Sequence, residues 1–186
     1  MEPTQFELQK AQIAHDLDKT IRTIPDFPKP GIQFKDITPI LANPVLCKQI
    51  VEFMAAYYDG KQVDVVVGIE SRGFLFGMQL ANKLNVPFVP IRKLGKLPAK
   101  TVTQSYALEY GEATIEIHED AFQPGAKVIV HDDLLATGGT VVAASELVKK
   151  LGGEVASFAF LINLDFLAGK ERLKPYCSDI LTLIDF

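Results

Sequence analysis

The stretch VIVHDDLLATGGT, Val128–Thr140, decides the fold. Its first residues are almost all aliphatic, the run halts at Asp132 and Asp133, and a loop of small residues follows. A continuous aliphatic run of this length predicts a strand covered on both faces, here AKVIVH. The segment behind it, GTVVAASELVKKLG, carries helical spacing and ends at Gly152. Working outward, the same alternation recurs. VDVVVGI (Val63–Ile69) is a second β-branched strand, and GFLFGMQLANKL is the helix after it. VPFVPIR, EVASFAFLIN and DILTLI supply further strands. Strand alternating with helix predicts an α/β fold with a central, mostly parallel sheet flanked by helices.

Upstream, Ile13, Leu17, Ile21 and Ile24 have helical spacing. PDFPKPGIQF then forbids a regular helix, because its three prolines lack backbone donors. Asn43-Pro44 predicts a new helix start, with Leu46, Ile50, Phe53 or Met54, and Tyr57 turned inward. TVTQSYALEYGEATIEIHED alternates and breaks at Tyr-Gly, which predicts a partly antiparallel excursion.

Bulk properties narrow the function. The net charge is -4 and no long basic run offsets it, which argues against nucleic acid as the main partner. No apolar run approaches the roughly 18–20 residues that span a bilayer, so no membrane role is expected. The N-terminal residues lack the layout of a signal peptide, and a cytoplasmic location is expected. Cys47 and Cys177 share no motif spacing, and both are expected to be reduced thiols.

In a parallel sheet, ligands sit at the carboxyl ends of the strands. The loops after Ile69, Ile91 and His131 should therefore face one cleft. Ala136, Thr137, Gly138, Gly139 and Thr140 join a strand to a helix, so main-chain N–H groups and two hydroxyls can converge on one phosphate. The loop lacks the Gly-Lys-Ser/Thr of a Walker A motif and the Gly-x-Gly-x-x-Gly of a dinucleotide site. A plain strand-to-helix turn stays open for TGGT by itself. Paired acids at a strand end cost stability unless something uses them, and Asp132 and Asp133 can accept hydrogen bonds from a ribose diol. Arg72, in GIESRGFLFG, can grip a diphosphate in bidentate fashion, and Arg92, Lys93 and Lys96 form a dense basic group in IRKLGKLP.

Taken together, VIVHDDLLATGGT resembles the phosphoribosyl-diphosphate signature of the type I phosphoribosyltransferases. With DFPKPGIQFKDITP, RKLGKLP and SYALEYG in that order, the chain resembles the adenine-using branch of that family over about Ile24 to Leu164. The family carries an aliphatic residue where this chain has His131, which reads as a buried neutral histidine.

The resemblance implies one domain over residues 1–186, with an N-terminal hood at about 1–36 and a lid at about 94–112. It implies transfer of phosphoribosyl from phosphoribosyl diphosphate to N9 of adenine, giving AMP and diphosphate, with Mg²⁺ held mainly by substrate oxygens and water. Asp132 and Asp133 would hold the ribose, and Ala136, Thr137, Gly138, Gly139 and Thr140 its 5′-phosphate. Glu70, Ser71, Arg72, Arg92, Lys93 and Lys96 would face the diphosphate, with a cis peptide between Glu70 and Ser71. Phe34 would stack on adenine and Leu134 cap its other face, with Gln33 and Lys35 alongside. Glu109 and Tyr110 would close over the reacting centre, and a homodimer is implied. Beside a nucleotide-binding α/β domain of unknown role, which the four co-occurring motifs disfavour, two sharper rivals stand. One is a phosphoribosyltransferase for another base, separable by rates with each base. The other is a non-catalytic phosphoribosyl-diphosphate sensor, for which a DNA-binding helix-turn-helix or a basic RNA-facing surface would be expected.

Overall fold

A computed structural model describes residues 4–107 and 111–186. The chain divides into two compact units, one ending at Tyr57 and the other running from Tyr58 to Phe186.

In the first unit, helix α1 (Gln5–Thr20) begins at a capping box. The Glu7 N–H donates to Thr4 Oγ1 at 3.2 Å, and the Thr4 N–H donates to the Glu7 carboxylate at 2.7 Å. Ile13 and Leu17 form its buried face, whereas Ile21 is the extended C-cap and Ile24 lies beyond the helix. The periodicity overran the helix because the chain there leaves α1 to form strand β1 (Arg22–Pro25). This pairs antiparallel with β2 (Gln33–Asp36), Ile24 opposite Phe34. The proline-rich connection is irregular, as expected, and the Asp26 carboxylate accepts the Gly31 N–H at 2.7 Å. A one-turn helix α2 (Thr38–Leu41) precedes α3 (Pro44–Tyr57). Asn43 Oδ1 accepts the Leu46 N–H at 3.1 Å and so caps α3 where the sequence placed its start. Leu46, Ile50, Phe53 and Met54 are buried, and Tyr57 is half-buried. The rings of Phe6 and Phe53 stack at 4.4 Å and tie α1 to α3.

The second unit runs β3 (Val65–Ile69), α4 (Gly73–Leu84), β4 (Phe88–Lys93), β5 (Thr101–Ala107), β6 (Glu112–His118), β7 (Lys127–Leu135), α5 (Gly139–Lys150), β8 (Glu154–Asn163), α6 (Gly169–Leu173) and β9 (Ile180–Asp185). Its seven-stranded sheet has the order β5-β6-β4-β3-β7-β8-β9. The pairs joining β4, β3, β7, β8 and β9 are parallel, and β6 and β5 form the antiparallel excursion at one edge. Val65, Val67, Val128 and Val130 bury one face of the sheet in a cluster with Val141, Ala144, Leu147 and Val148 of α5. Side chains alternate along a strand, so Ile129 and His131 point to the other face. There His131 lies close to the Gly77 position of α4.

Strand β7 runs farther than its aliphatic pattern suggests. It continues through Asp132 and Asp133 to Leu135, because the long β8 stays alongside and offers ladder partners. Asp132 pairs with Phe160, Leu134 with Ile162 and Leu135 with Asn163. The two acids are thus held inside the sheet rather than hanging in a loop after it. Among the described residues, no helix is long and apolar enough to cross a membrane.

Candidate functional site

Parallel β3, β4 and β7 bring their carboxyl ends together, as expected of this topology. Glu70, Ser71 and Arg72 leave β3, Lys93 ends β4, and Asp132 and Asp133 come from β7. These residues line one cavity of about 240 Å³. The Glu70–Ser71 peptide is cis, as the resemblance implies.

The basic group is not presented as a block. Lys93 lines the cavity, but Arg92 and Lys96 do not. Arg92 instead donates from Nε and Nη2 to the Glu70 carboxylate, at 3.1 and 3.2 Å, and from Nη1 to the Lys96 carbonyl at 3.0 Å. The Lys93 N–H adds a third donor to Glu70 at 3.0 Å. Arg92, burial and this N–H act on Glu70 together, and the net effect holds its carboxyl below the usual range. The turn carrying Lys96 is organised by Glu116 of β6, which is 3% exposed. Its carboxylate accepts the N–H groups of Lys96 and Leu97, each at 2.8 Å, and the Thr101 hydroxyl at 3.2 Å. Burial pushes Glu116 up, but the amides of Leu97, Lys96 and Gly95 outweigh it and keep the group low.

The acids form the floor. Asp133 is 2% exposed, and its Oδ2 stands 3.2 Å from Arg72 Nε. That approach is an ion contact, since Oδ2 takes no well-aligned hydrogen bond. Asp132 Oδ1 accepts the Asp133 N–H at 2.9 Å. Burial and then the Asp133 charge push Asp132 well above the ordinary carboxylate range. Burial also raises Asp133, with the Arg72 charge working against it. Carboxyls held at this cost can accept hydrogen bonds from hydroxyl donors.

Beyond Leu135 the chain enters Ala136–Thr140. Gly138 takes φ +79°, a left-handed conformation that glycine adopts without strain, and caps α5. The N–H groups of Gly139, Thr140 and Val141 open the helix and have no partner within it. They are set to receive an anion, helped by the helix dipole. The Thr140 hydroxyl donates to the Tyr106 hydroxyl of β5 at 3.1 Å. From the other side α6 closes on the loop. A Cβ at Gly169 would run into the Ala136 carbonyl, so only glycine permits that approach. Arg172 Nη1 donates to the Thr137 carbonyl at 3.0 Å.

Tyr106, Glu116, Gly169 and Arg172 escaped the sequence reading. Their roles depend on contacts made across the fold, and the weak signal for α6 was only the Gly-Lys-Glu-Arg-Leu run after a strand. His131 is fully buried, and neither ring nitrogen makes a well-aligned hydrogen bond. Burial lowers its pKa to about 4, with the Ala159 backbone pulling weakly the other way, so it is neutral near pH 7. This agrees with the buried histidine expected.

Of the residues expected to meet the base, Leu134 is half-buried in β7. Gln33, Phe34 and Lys35 lie on β2 in the N-terminal unit, where the Phe27 ring meets Phe34 edge-on at 5.1 Å. Lys35 Nζ donates to Thr23 Oγ1 at 3.1 Å across the ladder. Glu109 and Tyr110 lie outside the described residues.

Comparison with known proteins gives a consistent result. Residues 36–186 match the profile of the phosphoribosyl transferase domain. The chain is 54% identical over 170 residues to an adenine phosphoribosyltransferase of Cytophaga hutchinsonii, covering 91% of this chain and 94% of that one. A crystal structure of adenine phosphoribosyltransferase from Rhodothermus marinus superposes with a TM-score of 0.88 at 49% identity, over 95% of this chain and 99% of the other. The Saccharomyces cerevisiae adenine phosphoribosyltransferase, complexed with an imino-altritol bisphosphate and adenine, gives a TM-score of 0.87 at 40% identity, over 93% and 99% of the two chains.

Proposed function

The chain belongs to the type I phosphoribosyltransferase family, in its adenine-using branch, and on that premise we propose how its residues divide the work. The reaction is adenine phosphoribosyl transfer, a salvage route to AMP. The C1′–diphosphate bond breaks, the bond from C1′ to adenine N9 forms, and the N9 proton leaves.

One observation carries the assignment of roles. The ion contact of Arg72 with Asp133 sits in the cavity at the carboxyl edge of the sheet, next to the loop that opens α5. Asp132 and Asp133 accept the ribose hydroxyls and oppose positive charge developing on the sugar. The amides of Ala136–Thr140, with the Thr137 and Thr140 hydroxyls, hold the 5′-phosphate. Fixing the sugar at both ends is a positioning effect, worth on the order of 7–11 kcal/mol at best. Ser71, Arg72 and Lys93 receive the diphosphate, and Glu70 with Arg92 and Lys96 shapes that wall. Arg72 makes planar, bidentate contact with phosphoryl oxygens feasible.

Among the described residues, no three His, Cys, Asp or Glu side chains gather into a protein-only metal centre. The buried Asp133 Oδ2, lacking a hydrogen-bond donor, suits Mg²⁺ carried by substrate oxygens and water, with Asp132 and Asp133 as the facing carboxylates. When bound, the ion neutralises charge on the leaving diphosphate.

Phe34 is assigned to the base, with Gln33 and Lys35 as its neighbours in sequence, and Leu134 is likewise assigned to it. Adenine presents a 6-amino donor and an N1 acceptor, and a 6-oxopurine inverts that pattern and leaves buried groups unpaired. Glu109 is assigned the N9 proton and Tyr110 the covering of the centre, so that water is kept from the reacting sugar. Leu75 and Met78 leave apolar surface exposed on α4, which supports a homodimer.

The test is AMP formation from adenine and phosphoribosyl diphosphate, with and without Mg²⁺, and with hypoxanthine and guanine as competing bases. Mg²⁺-dependent AMP and little product from the oxopurines are expected. Preferred use of an oxopurine would overturn the base assignment.

A further inference from the structure

The phosphate loop has no charge of its own, since Ala136, Thr137, Gly138, Gly139 and Thr140 are all neutral. A sugar phosphate arrives as a dianion near pH 7. Amides and a helix dipole amount to about half an elementary charge. The proposed phosphate site is therefore undercharged on the motif alone.

Helix α6 brings the missing charge. Arg172 Nη1 bonds the Thr137 carbonyl at 3.0 Å and stands 3.8 Å from where a Cβ on Gly139 would be. The guanidinium thus lies along the backbone of residues 137–139. Its approach is enforced by Gly169, whose missing side chain lets α6 touch Ala136. A guanidinium carries five N–H donors, so a single bond to a carbonyl does not exhaust it. The acid on the neighbouring helix face does not claim Arg172 in hydrogen-bonding terms. Glu146 accepts the Tyr176 hydroxyl at 2.5 Å and Lys149 Nζ at 3.3 Å. Tyr106 Cδ2 flanks the same Gly139 position at 3.8 Å, so the loop is clasped between a ring and a cation.

We infer that Arg172 is a binding residue of the 5′-phosphate site, supplying from outside the loop the positive charge that the loop lacks. This rests on the phosphoribosyl reading above and adds a residue to it. The substrate class it selects is a phosphorylated sugar in preference to its dephosphorylated form.

The experiment measures ribose 5-phosphate and AMP affinity by calorimetry, and steady-state constants, for the wild type, Arg172→Gln and Arg172→Lys at low and at physiological salt. For Arg172→Gln, both phosphate ligands are expected to bind about tenfold more weakly, and the KM for phosphoribosyl diphosphate to rise in proportion. Its kcat and its KM for adenine should stay within about twofold of the wild type, since the lost contact is made equally in ground and transition states. Arg172→Lys should recover most of the affinity, and the wild-type advantage over the Gln variant should shrink as salt rises. Unchanged affinity in Arg172→Gln overturns the inference. So does a fall in kcat matching the rise in KM, which is the mark of a distorted loop, and so does a Lys variant as weak as the Gln variant. A wild type that binds neither ligand refutes the phosphoribosyl reading itself and the inference with it.

Discussion

Replacing His131 by Leu should raise stability and flatten its dependence on pH. His131 is fully buried and neither ring nitrogen makes a well-aligned hydrogen bond, the Ala159 backbone giving only a poor one, so the leucine removes two badly satisfied polar atoms at similar volume. An unsatisfied buried group costs about 1–3 kcal/mol, and a gain of that order is expected near neutral pH. The pH effect follows from burial. His131 titrates near 6.5 in the unfolded chain and at about 4 in the folded one. The unfolded state therefore binds the proton first. Stability is complete above the unfolded value and is lost as pH falls through the folded one. The limiting loss is about 3 kcal/mol, and between about pH 7.5 and about pH 5 the wild type should lose about 2 kcal/mol on this account. Asp132 and Asp133 are shifted upward and act in the opposite sense, but they are present in both proteins. The difference between wild type and variant isolates the imidazole. The assay is urea unfolding of both proteins, followed by far-UV circular dichroism at the two pH values. Equal pH slopes for the two proteins, or a variant weaker than the wild type at the higher pH, would refute the reasoning.

Asp132→Asn with Asp133→Asn should abolish AMP formation without lowering the urea midpoint, because a buried carboxyl and its half-buried neighbour, both shifted upward, become neutral amides; retained turnover would remove ribose anchoring. Glu109→Leu should cut kcat by about 10²–10⁴-fold while leaving affinity for phosphoribosyl diphosphate nearly intact, as read from steady-state and binding data. A normal kcat would take the proton role from Glu109. Gly169→Ala should cost about 1–3 kcal/mol in urea unfolding and weaken ribose 5-phosphate binding, since the new methyl group meets the Ala136 carbonyl. Wild-type values in both measurements would show that α6 does not brace the loop.

Much of this architecture could be read from local pattern. Val65–Val67 and Ile69, and likewise Val128–Val130, are β-branched or aliphatic on both faces, as only interior strands of a parallel sheet need to be. The cap at Asn43 and the irregular connection over residues 26–32 followed from residue chemistry alone. Ends of elements were harder. Ile24 continued a helical rhythm but pairs with Phe34, and β7 outlasted its aliphatic run because β8 lay beside it. Glu116 looked like one polar position in an alternating strand. Its burial depends on three backbone amides brought from the turn before β5, and no periodicity announces that. Arg92 looked like part of a cationic cluster, but Glu70, from the neighbouring strand end, takes its guanidinium. Long-range partners of charged groups are invisible until the chain is folded.

The extension of β7 past its two acids has a consequence for engineering. Asp132 sits in register with Phe160, and Leu135 with Asn163, so the acid pair is fastened to neighbouring main chain on its far side as well as its near side. The first position free of that ladder is Ala136. A cassette from Ala136 to Gly139 could be exchanged for one of different length or composition, and the carboxylates would keep their coordinates. Recognition of the terminal anion and chemistry at the sugar would then be retuned as separate modules.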